Sequence, residues 1–478
     1  MNLALADAEP QQAIDSMQQL LSLQQQHFRA NPYPSAAQRD QDLAKLAALL
    51  QNHKQQIITA LSTDFGQRAE YDTLFSDIVP CLNLIHYSRK KLKKWMKSSR
   101  RSPGLMLAPS KVEVRYQPLG IIGIMVPWNF PMYLSLGPLI TALAAGNCAM
   151  IKMSEFTPAT NKVLRDMLAQ QFPEQQVAII EGKAEASAAF SALPFDHLLF
   201  TGSTTVGKHV MRAAAANLTP VTLELGGKSP TVIAPDFDVS EAVARLIYGK
   251  CLNAGQICTA PDYILLPRAK VDDFISAYKA HFNRCFPDGL ASKDLTSVVN
   301  ARQYQRLSDT LQDASDKGAT VHTVVEHPRD DANHRMTTHL LTNVNDDMTV
   351  MQDEIFGPLL PLVPYDCIEE AKQYILDRPR PLALYLMSFD PTLQQQFLEQ
   401  THAGGVSLND TVVHVAADDA PFGGVGPSGM GHYHGVEGFR TFSHAKTVLH
   451  RGKINYTKLM HPPYGNWLQR MMVKMFAK

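Results

Sequence analysis

Gly120-Ile-Ile-Gly-Ile-Met-Val126, followed at once by Pro127-Trp128-Asn129-Phe130-Pro131, decides how the chain is read. A run with no polar side chain is a strand covered on both faces, because a strand with one wet face alternates apolar and polar positions. The two prolines then stop the strand and fix the backbone around a single amide, Asn129. Working outward, the same unit recurs. Tyr133 to Ala145 is compatible with a helix and leads to the short strand Cys148–Ile151. Helical Pro158–Gln171 leads to Val177–Ile180, a short helix to His197–Phe200, and helical Val206–Ala216 to Val221–Leu223. Strands alternating with helices predict parallel βαβ units and a doubly wound sheet. Such sheets bind ligands beyond the carboxyl ends of their strands. Residues 231 to 330 read as a second α/β unit: Thr231–Ala234, a helix Ser240–Cys251, a strand Tyr263–Leu266 and a helix from Val271. Residues 359 to 408 repeat the alternation, and no short-period repeat is present.

Ahead of this core, residues 1 to 34 are Gln-rich, with an amphipathic helix expected over Ile14–Phe28 and loose ends. Ser35 is an N-cap candidate for a helix whose Leu43, Leu46, Leu50, Ile57 and Leu61 recur at helical spacing, and a further helix is expected from Glu70 through Leu92. The basic segment from Arg89 to Arg101 leaves a nucleic-acid or membrane role open beside the plainer reading, a wet helix face with Leu92 and Trp95 turned inward. Lys111–Pro118 alternates as a half-exposed strand whose edge is expected to be capped or to pair with another subunit. The tail HPPYGNWLQRMMVKMFAK (461–478) is too short to span a bilayer; a packed terminal helix is expected over a membrane-surface anchor.

With 478 residues, two or three domains are expected. Lys plus Arg equals Asp plus Glu at 45 each, which argues against a whole-protein attraction to nucleic acid. The six cysteines form no close pairs, so no metal site or disulfide framework is expected, and a reducing compartment fits. No signal peptide or long apolar run is visible, so a cytoplasmic location is expected.

Several short stretches carry residue types suited to chemistry. Cys258 ends a loop of small residues, Asn253-Ala-Gly-Gln-Ile-Cys258, and a thiol there is either a nucleophile or a small buried hydrophobe. Phe200-Thr-Gly202-Ser203-Thr204-Thr-Val-Gly207 joins a strand to a helix, where backbone N–H groups can meet a pyrophosphate or merely form a turn. Asn129 could donate to a developing oxyanion, and Lys152 and Glu155 follow the next strand where a nucleotide ribose would lie. Glu224, beside Gly226-Gly227, is suited to activate water if burial raises its pKa. Glu354-Ile-Phe-Gly-Pro358 and Pro421-Phe-Gly-Gly424 are further tight loops.

The ordered series PWNFP, KMSE, FTGST, ELGGKSP, GQIC, EIFGP and PFGG, with 34 residues from Glu224 to Cys258, resembles the NAD(P)-dependent aldehyde dehydrogenase superfamily. Finer features resemble its class-3 branch and, within that, bacterial coniferyl aldehyde dehydrogenases: GQICTAPDY, LND, PFGGVGPSGMGHYHG, GFRTFSH and HPPYG. The resemblance implies an α/β aldehyde dehydrogenase fold with two doubly wound parallel-sheet domains, one Rossmann-like for NAD and one catalytic, plus a small β oligomerisation element. Residues 1–110 and 119–223 would form the NAD domain and 224–417 the catalytic domain. Residues 111–118 and 418–450 would supply oligomerisation strands and a return segment, with 451–478 as the tail.

The resemblance also implies roles. Cys258 would attack the aldehyde carbon, Asn129 and the Cys258 N–H would stabilise the oxyanion, and Glu224 would activate the water that hydrolyses the thioester. Trp128, Lys152, Glu155, Gly202, Ser203, Thr204, Gly207, Leu225, Glu354 and Phe356 would face the dinucleotide. A carboxylate at 155 would repel a 2′-phosphate, so NAD is expected over NADP, which remains possible. A homodimer is expected, with an aromatic aldehyde as substrate and a medium-chain aliphatic one as the alternative. A coenzyme-A-acylating semialdehyde dehydrogenase or a catalytically silent protein would share the fold, but each fits less well with Cys258 and Glu224 both present.

Overall fold

The structure, a computed structural model, describes residues 10–477. The run Ile121–Met125 is a strand buried along its whole length and is central to a six-stranded sheet. Across that sheet the order is Gly429–Met430, Val221–Leu225, His197–Gly202, Ile121–Met125, Cys148–Lys152, Val177–Ile180. The last five are parallel, and Gly429–Met430 adds antiparallel to Val221–Leu225. The chain builds outward from Ile121–Met125 through Cys148–Lys152 to Val177–Ile180, then returns to the other side of the first strand. That reversal opens a crevice at the carboxyl ends, where Trp128–Asn129 and Gly202–Ser203 leave the sheet. The helix Pro131–Ala145 is buried nearly all round, which its almost wholly apolar sequence requires.

A seven-stranded sheet follows, in the order Thr320–Thr323, His339–Thr342, Leu359–Tyr365, Tyr263–Pro267, Pro230–Ile233, Ala383–Met387, Gly405–Leu408. All its pairs are parallel except the first. Glu224 lies inside the strand Val221–Leu225 of the first sheet, and the second sheet begins at Pro230. A third, three-stranded sheet joins Ser99–Arg101, Lys111–Pro118 and Ser443–His450. Lys111–Pro118 is its middle strand, so both its edges are capped within the chain, one of the two expected outcomes, and the sheet's edge strands are Ser99–Arg101 and Ser443–His450.

The helices depart from expectation in three places. The N-terminal helix runs Pro10–Ala30, longer than expected, and docks by Met17, Leu20, Leu21 and Gln24, whose Nε2 donates to Ala149 O and Glu174 O at 3.0 Å each. Part of the loose start expected there falls on residues 1–9, outside the described residues. The helix expected over Glu70–Leu92 forms and runs on to Trp95, with helical backbone angles across a π-turn at Leu74–Ile78 that sequence spacing did not show. Pro80 has no N–H to give and its ring crowds the Ser76 carbonyl, which widens the preceding turn. Finally, the helix Trp467–Phe476 buries no residue, and Trp467 is 72% exposed. The expected packing of the tail is overturned: the chain leaves along the edge strand Ser443–His450, and the helix packs chiefly against Tyr456–Met460. Ser35 does cap Ala36–Phe65, with Gln38 closing a capping box, and Leu92 and Trp95 do turn inward beneath the wet lysines.

Candidate active site

The loop that carries Cys258 begins where the helix Val239–Cys251 stops. Asn253, Ala254 and Gly255 all take left-handed backbone angles (φ 50°, 54° and 73°), so the chain reverses within three residues. At Gly255 a Cβ would sit 2.6 Å from Gly357 O as well, so no larger residue fits that turn. The strain at Asn253 and Ala254 is held by a polar net. Gln256 Nε2 donates to Asn253 O (2.8 Å) and Ser297 O (3.1 Å), while its Oε1 accepts from Val299 N (3.0 Å). Asn253 Nδ2 donates to Asn129 O (3.1 Å), and Asn129 Nδ2 donates to Gln256 O (3.1 Å). The Asn129 amide is therefore fixed by one N–H and has the second to give.

A buried ion pair stands behind this net. Arg68 Nη2 meets Asp77 Oδ2 at 2.8 Å, and its Nη1 donates to Asn129 O at 2.7 Å. Asp77 Oδ1 in turn accepts from Tyr133 N at 2.9 Å. Asp72 accepts from Asn253 N (3.0 Å) and Thr296 Oγ1 (2.7 Å). Sequence reasoning assigned no role to Arg68, Asp72, Asp77 or Thr296; they lie in a helical tract or a plain loop with no local pattern to mark them. Asn253 and Gln256 stood inside a quoted motif without a role of their own.

Two cavities meet at Cys258 and Asn129. The larger, about 370 Å³, opens at the crevice of the first sheet and is bordered by Trp128, Gly202, Ser203, Leu225, Glu354 and Phe356, with Glu224 beside them. The smaller, about 170 Å³, is lined mainly by apolar and aromatic side chains, among them Phe75, Tyr133, Phe422 and Tyr433. Cys258 is half-buried between the two. Its thiol is pushed up by burial first, then by the charges of Glu354 and Glu224, against the pull of the Cys258 and Thr259 backbone N–H groups.

Glu224 is 3% exposed, and neither of its carboxylate oxygens has a hydrogen-bond partner among the described residues. Burial lifts its pKa well above the ordinary value, so it is a base only once a water or a reacting group reaches it. Glu354 is raised to about 8, by burial and then by Asp262, while the Gly227 N–H, Lys228 and Arg306 pull it down. One of its oxygens has no partner among the described residues. A side chain at Gly226 would collide with the Glu354 carboxylate, so the Gly226-Gly227 turn is what admits Glu354. Asp262 fixes that loop from beneath: it pairs with Lys228, whose Nζ also donates to Val350 O, and accepts from Ile355 N at 2.9 Å. Phe356 takes φ 46° and sets its ring 5.2 Å from Trp128, nearly perpendicular.

The expected cofactor residues divide. Trp128, Gly202, Ser203, Leu225, Glu354 and Phe356 border the larger cavity, whereas Lys152, Glu155, Thr204 and Gly207 do not. Ser203 caps the helix Thr204–Ala215, aiming that N-terminus at the crevice, while Thr204 Oγ1 is engaged with Pro427 O at 3.1 Å. Lys152 is buried, donates to Met153 O and Gly182 O at 2.7 Å each, and is lowered to about 8 by burial. Glu155 is exposed on the turn after Cys148–Lys152. A helix N-terminus, an unpartnered carboxylate oxygen and an aromatic wall around one crevice suit a nicotinamide dinucleotide.

The chain matches the model of the aldehyde dehydrogenase family over residues 9–448. It is 52% identical to a probable coniferyl aldehyde dehydrogenase of Pseudomonas aeruginosa, over 98% of each chain. It is 43% identical to the coniferyl aldehyde dehydrogenase of a Pseudomonas species, over 90% of each chain. A substrate-bound Staphylococcus aureus AldH superposes with a TM-score of 0.91 at 36% identity, covering 97% of this chain and 99% of that one. A Mycobacterium tuberculosis aldehyde dehydrogenase complexed with NAD+ superposes at 0.82 with 26% identity, covering 92% and 91%.

Proposed function

The chain belongs to the aldehyde dehydrogenase family, and from that premise we propose that it oxidises an aromatic, coniferyl-aldehyde-like aldehyde to the carboxylic acid with NAD, through a thioester on Cys258. The observation that carries this reading is the meeting of the two cavities at Cys258, with the unpartnered Glu224 carboxyl beside the larger one.

The Cys258 thiolate attacks the aldehyde carbon, and the carbonyl oxygen becomes an oxyanion within reach of the free Asn129 N–H and the Cys258 backbone N–H. Trp128, Gly202, Ser203, Leu225, Glu354 and Phe356 would hold the dinucleotide, with Lys152, Glu155, Thr204 and Gly207 toward its adenosine and phosphate end. When bound, the dinucleotide supplies an acceptor for the hydride leaving that carbon, so that a thioester remains on the sulfur. Glu224 then takes a proton from water as the water attacks the thioester carbonyl; the C–S bond breaks, the acid leaves and the thiolate is restored. A separate base is needed because the thiolate is spent once it is acylated. Glu224 also favours transfer to water over transfer to a thiol such as coenzyme A.

The aromatic substrate is supported by the apolar, ring-lined smaller cavity and by the names of the Pseudomonas relatives. The preference for NAD is supported by Glu155, whose exposed carboxylate would repel a 2′-phosphate. A homodimer is supported by the edge of Ser443–His450, which no other strand pairs among the described residues. Steady-state kinetics with coniferyl aldehyde and hexanal, each with NAD and with NADP, test the reading. The highest kcat/KM is expected for coniferyl aldehyde with NAD. A higher value for hexanal would overturn the aromatic substrate, and a higher value with NADP the role of Glu155.

A further inference from the structure

The smaller cavity has one polar feature that the chemistry at its floor leaves unused. Its floor holds Cys258, Asn129 and Thr259, which are all at the aldehyde end. The Tyr133 hydroxyl on its wall is engaged with His434 Nε2 at 3.1 Å. Exposure marks the mouth: Phe75, Tyr248 and Val413 are 57%, 46% and 47% exposed, against 5%, 0% and 1% for Leu252, Thr259 and Tyr433. At this mouth the Ser76 and Tyr248 side chains both line the cavity. Ser76 is placed there by the widened turn Leu74–Ile78, and Tyr248 by the last turn of the helix Val239–Cys251. Burial and then the Asp72 charge raise the Tyr248 phenol, so it keeps its proton at neutral pH and remains a donor.

Resting on the reading of the substrate as an aromatic aldehyde, we propose that Tyr248 and Ser76 are specificity-determining residues. They hydrogen-bond a hydroxyl at the far end of the aryl ring, so that the site selects 4-hydroxylated cinnamaldehydes over the unsubstituted compound. An apolar cavity of roughly 150 Å³ is enough to hold benzene, and this one is about 170 Å³. A single-ring aldehyde with its carbonyl carbon at Cys258 fills the apolar middle and turns its opposite end toward the mouth. A substituent there that bonds the Tyr248–Ser76 pair keeps the polar mouth satisfied; a bare ring desolvates the pair without repaying it.

The test compares 4-hydroxycinnamaldehyde with cinnamaldehyde, using NAD and the full-length enzyme, in wild type, Tyr248→Phe and Ser76→Ala. Wild type is expected to favour the hydroxylated substrate in kcat/KM by about tenfold, the size of one hydrogen bond. Tyr248→Phe is expected to erase that preference through KM, while cinnamaldehyde kinetics stay within about twofold, which also shows that the variant is folded. Ser76→Ala is expected to move the same way by less. Equal losses on both substrates, or no loss on either, would overturn the proposal. If wild type oxidises hexanal but neither aryl aldehyde, the aromatic reading falls and this proposal with it. If it oxidises both aryl aldehydes without a preference that Tyr248→Phe changes, this proposal alone falls.

Discussion

Cys251 and Cys258 stand seven residues apart, on one continuous segment, and have opposite surroundings. Cys251 closes a regular helix and faces inward, its Sγ 3.7 Å from Tyr278 Oη and 3.9 Å from Thr338 Oγ1, and burial raises it to about 11. Cys258 comes after three left-handed residues, beyond the helix Val239–Cys251, and lines the junction of two cavities. Both thiols are raised, so pKa does not separate them. The difference is access: Cys258 lines two cavities that Asn129 also lines, and Glu224 lines the larger of them. On the proposed mechanism, the backbone reversal and the net that holds it, more than the thiol itself, would make this cysteine reactive.

Removing each sulfur should break the symmetry between the two. Cys258→Ala should cut aldehyde oxidation by at least about 10³-fold while dinucleotide binding, read by calorimetry, stays close to wild type. Normal turnover in that variant would remove Cys258 from the mechanism. Glu224→Gln separates the two halves of the reaction at the same sulfur. It should slow steady-state turnover by about 10²–10⁴-fold and leave an acyl group on Cys258 that intact-mass spectrometry detects. An unmodified mass during slow turnover would show that water is activated elsewhere.

A smaller effect sharpens the electrostatic side of the comparison. Burial and then Glu354 hold the Cys258 thiol up, and Glu354 itself titrates at about 8. Below that pH Glu354 is protonated and adds no charge; above it the carboxylate opposes the thiolate. Inactivation by iodoacetamide in the cofactor-free enzyme should therefore rise with pH and keep rising beyond the roughly 8.5 of a free cysteine. Glu354→Gln should leave the rate unchanged near pH 7 and speed it about three- to tenfold near pH 9. A variant that is faster at pH 7 and no different at pH 9 would reverse the assigned sign.

Much of this was legible in the sequence because the buried strands carry unbroken apolar runs and the chemistry-bearing residues sit in short motifs at strand ends. Gly120–Val126 announced the central strand, and GQIC, ELGGK and EIFGP each contained the side chain that reaches the crevice. The supports behind them were not legible. Arg68 and Asp77 act on Asn129 and Tyr133 from about sixty residues away, and nothing in a helical pattern distinguishes a buried arginine from a wet one. The π-turn at Leu74–Ile78 follows from Pro80, yet the leucine spacing around it reads as a regular helix. The tail misled for the opposite reason: apolar composition reports what a segment can bury, not whether the chain brings it to a surface that will cover it.

The smallest expected effect belongs to Cys251. Its neighbours Tyr278 Oη and Thr338 Oγ1 already hydrogen-bond each other at 3.2 Å, so losing the thiol leaves neither hydroxyl alone. Cys251→Ala removes one buried atom from a close-packed site and should cost about 1 kcal/mol in urea unfolding. Because the loop beyond it is held by Gln256, Asn253 and Asp72 rather than by Cys251, kcat and KM should remain within about twofold of wild type. A large loss of activity at unchanged stability would mean that the helix end and the loop are coupled through the thiol. The contrast between the two cysteines would then be one of degree, with Cys251 acting on Cys258 through the turn that separates them.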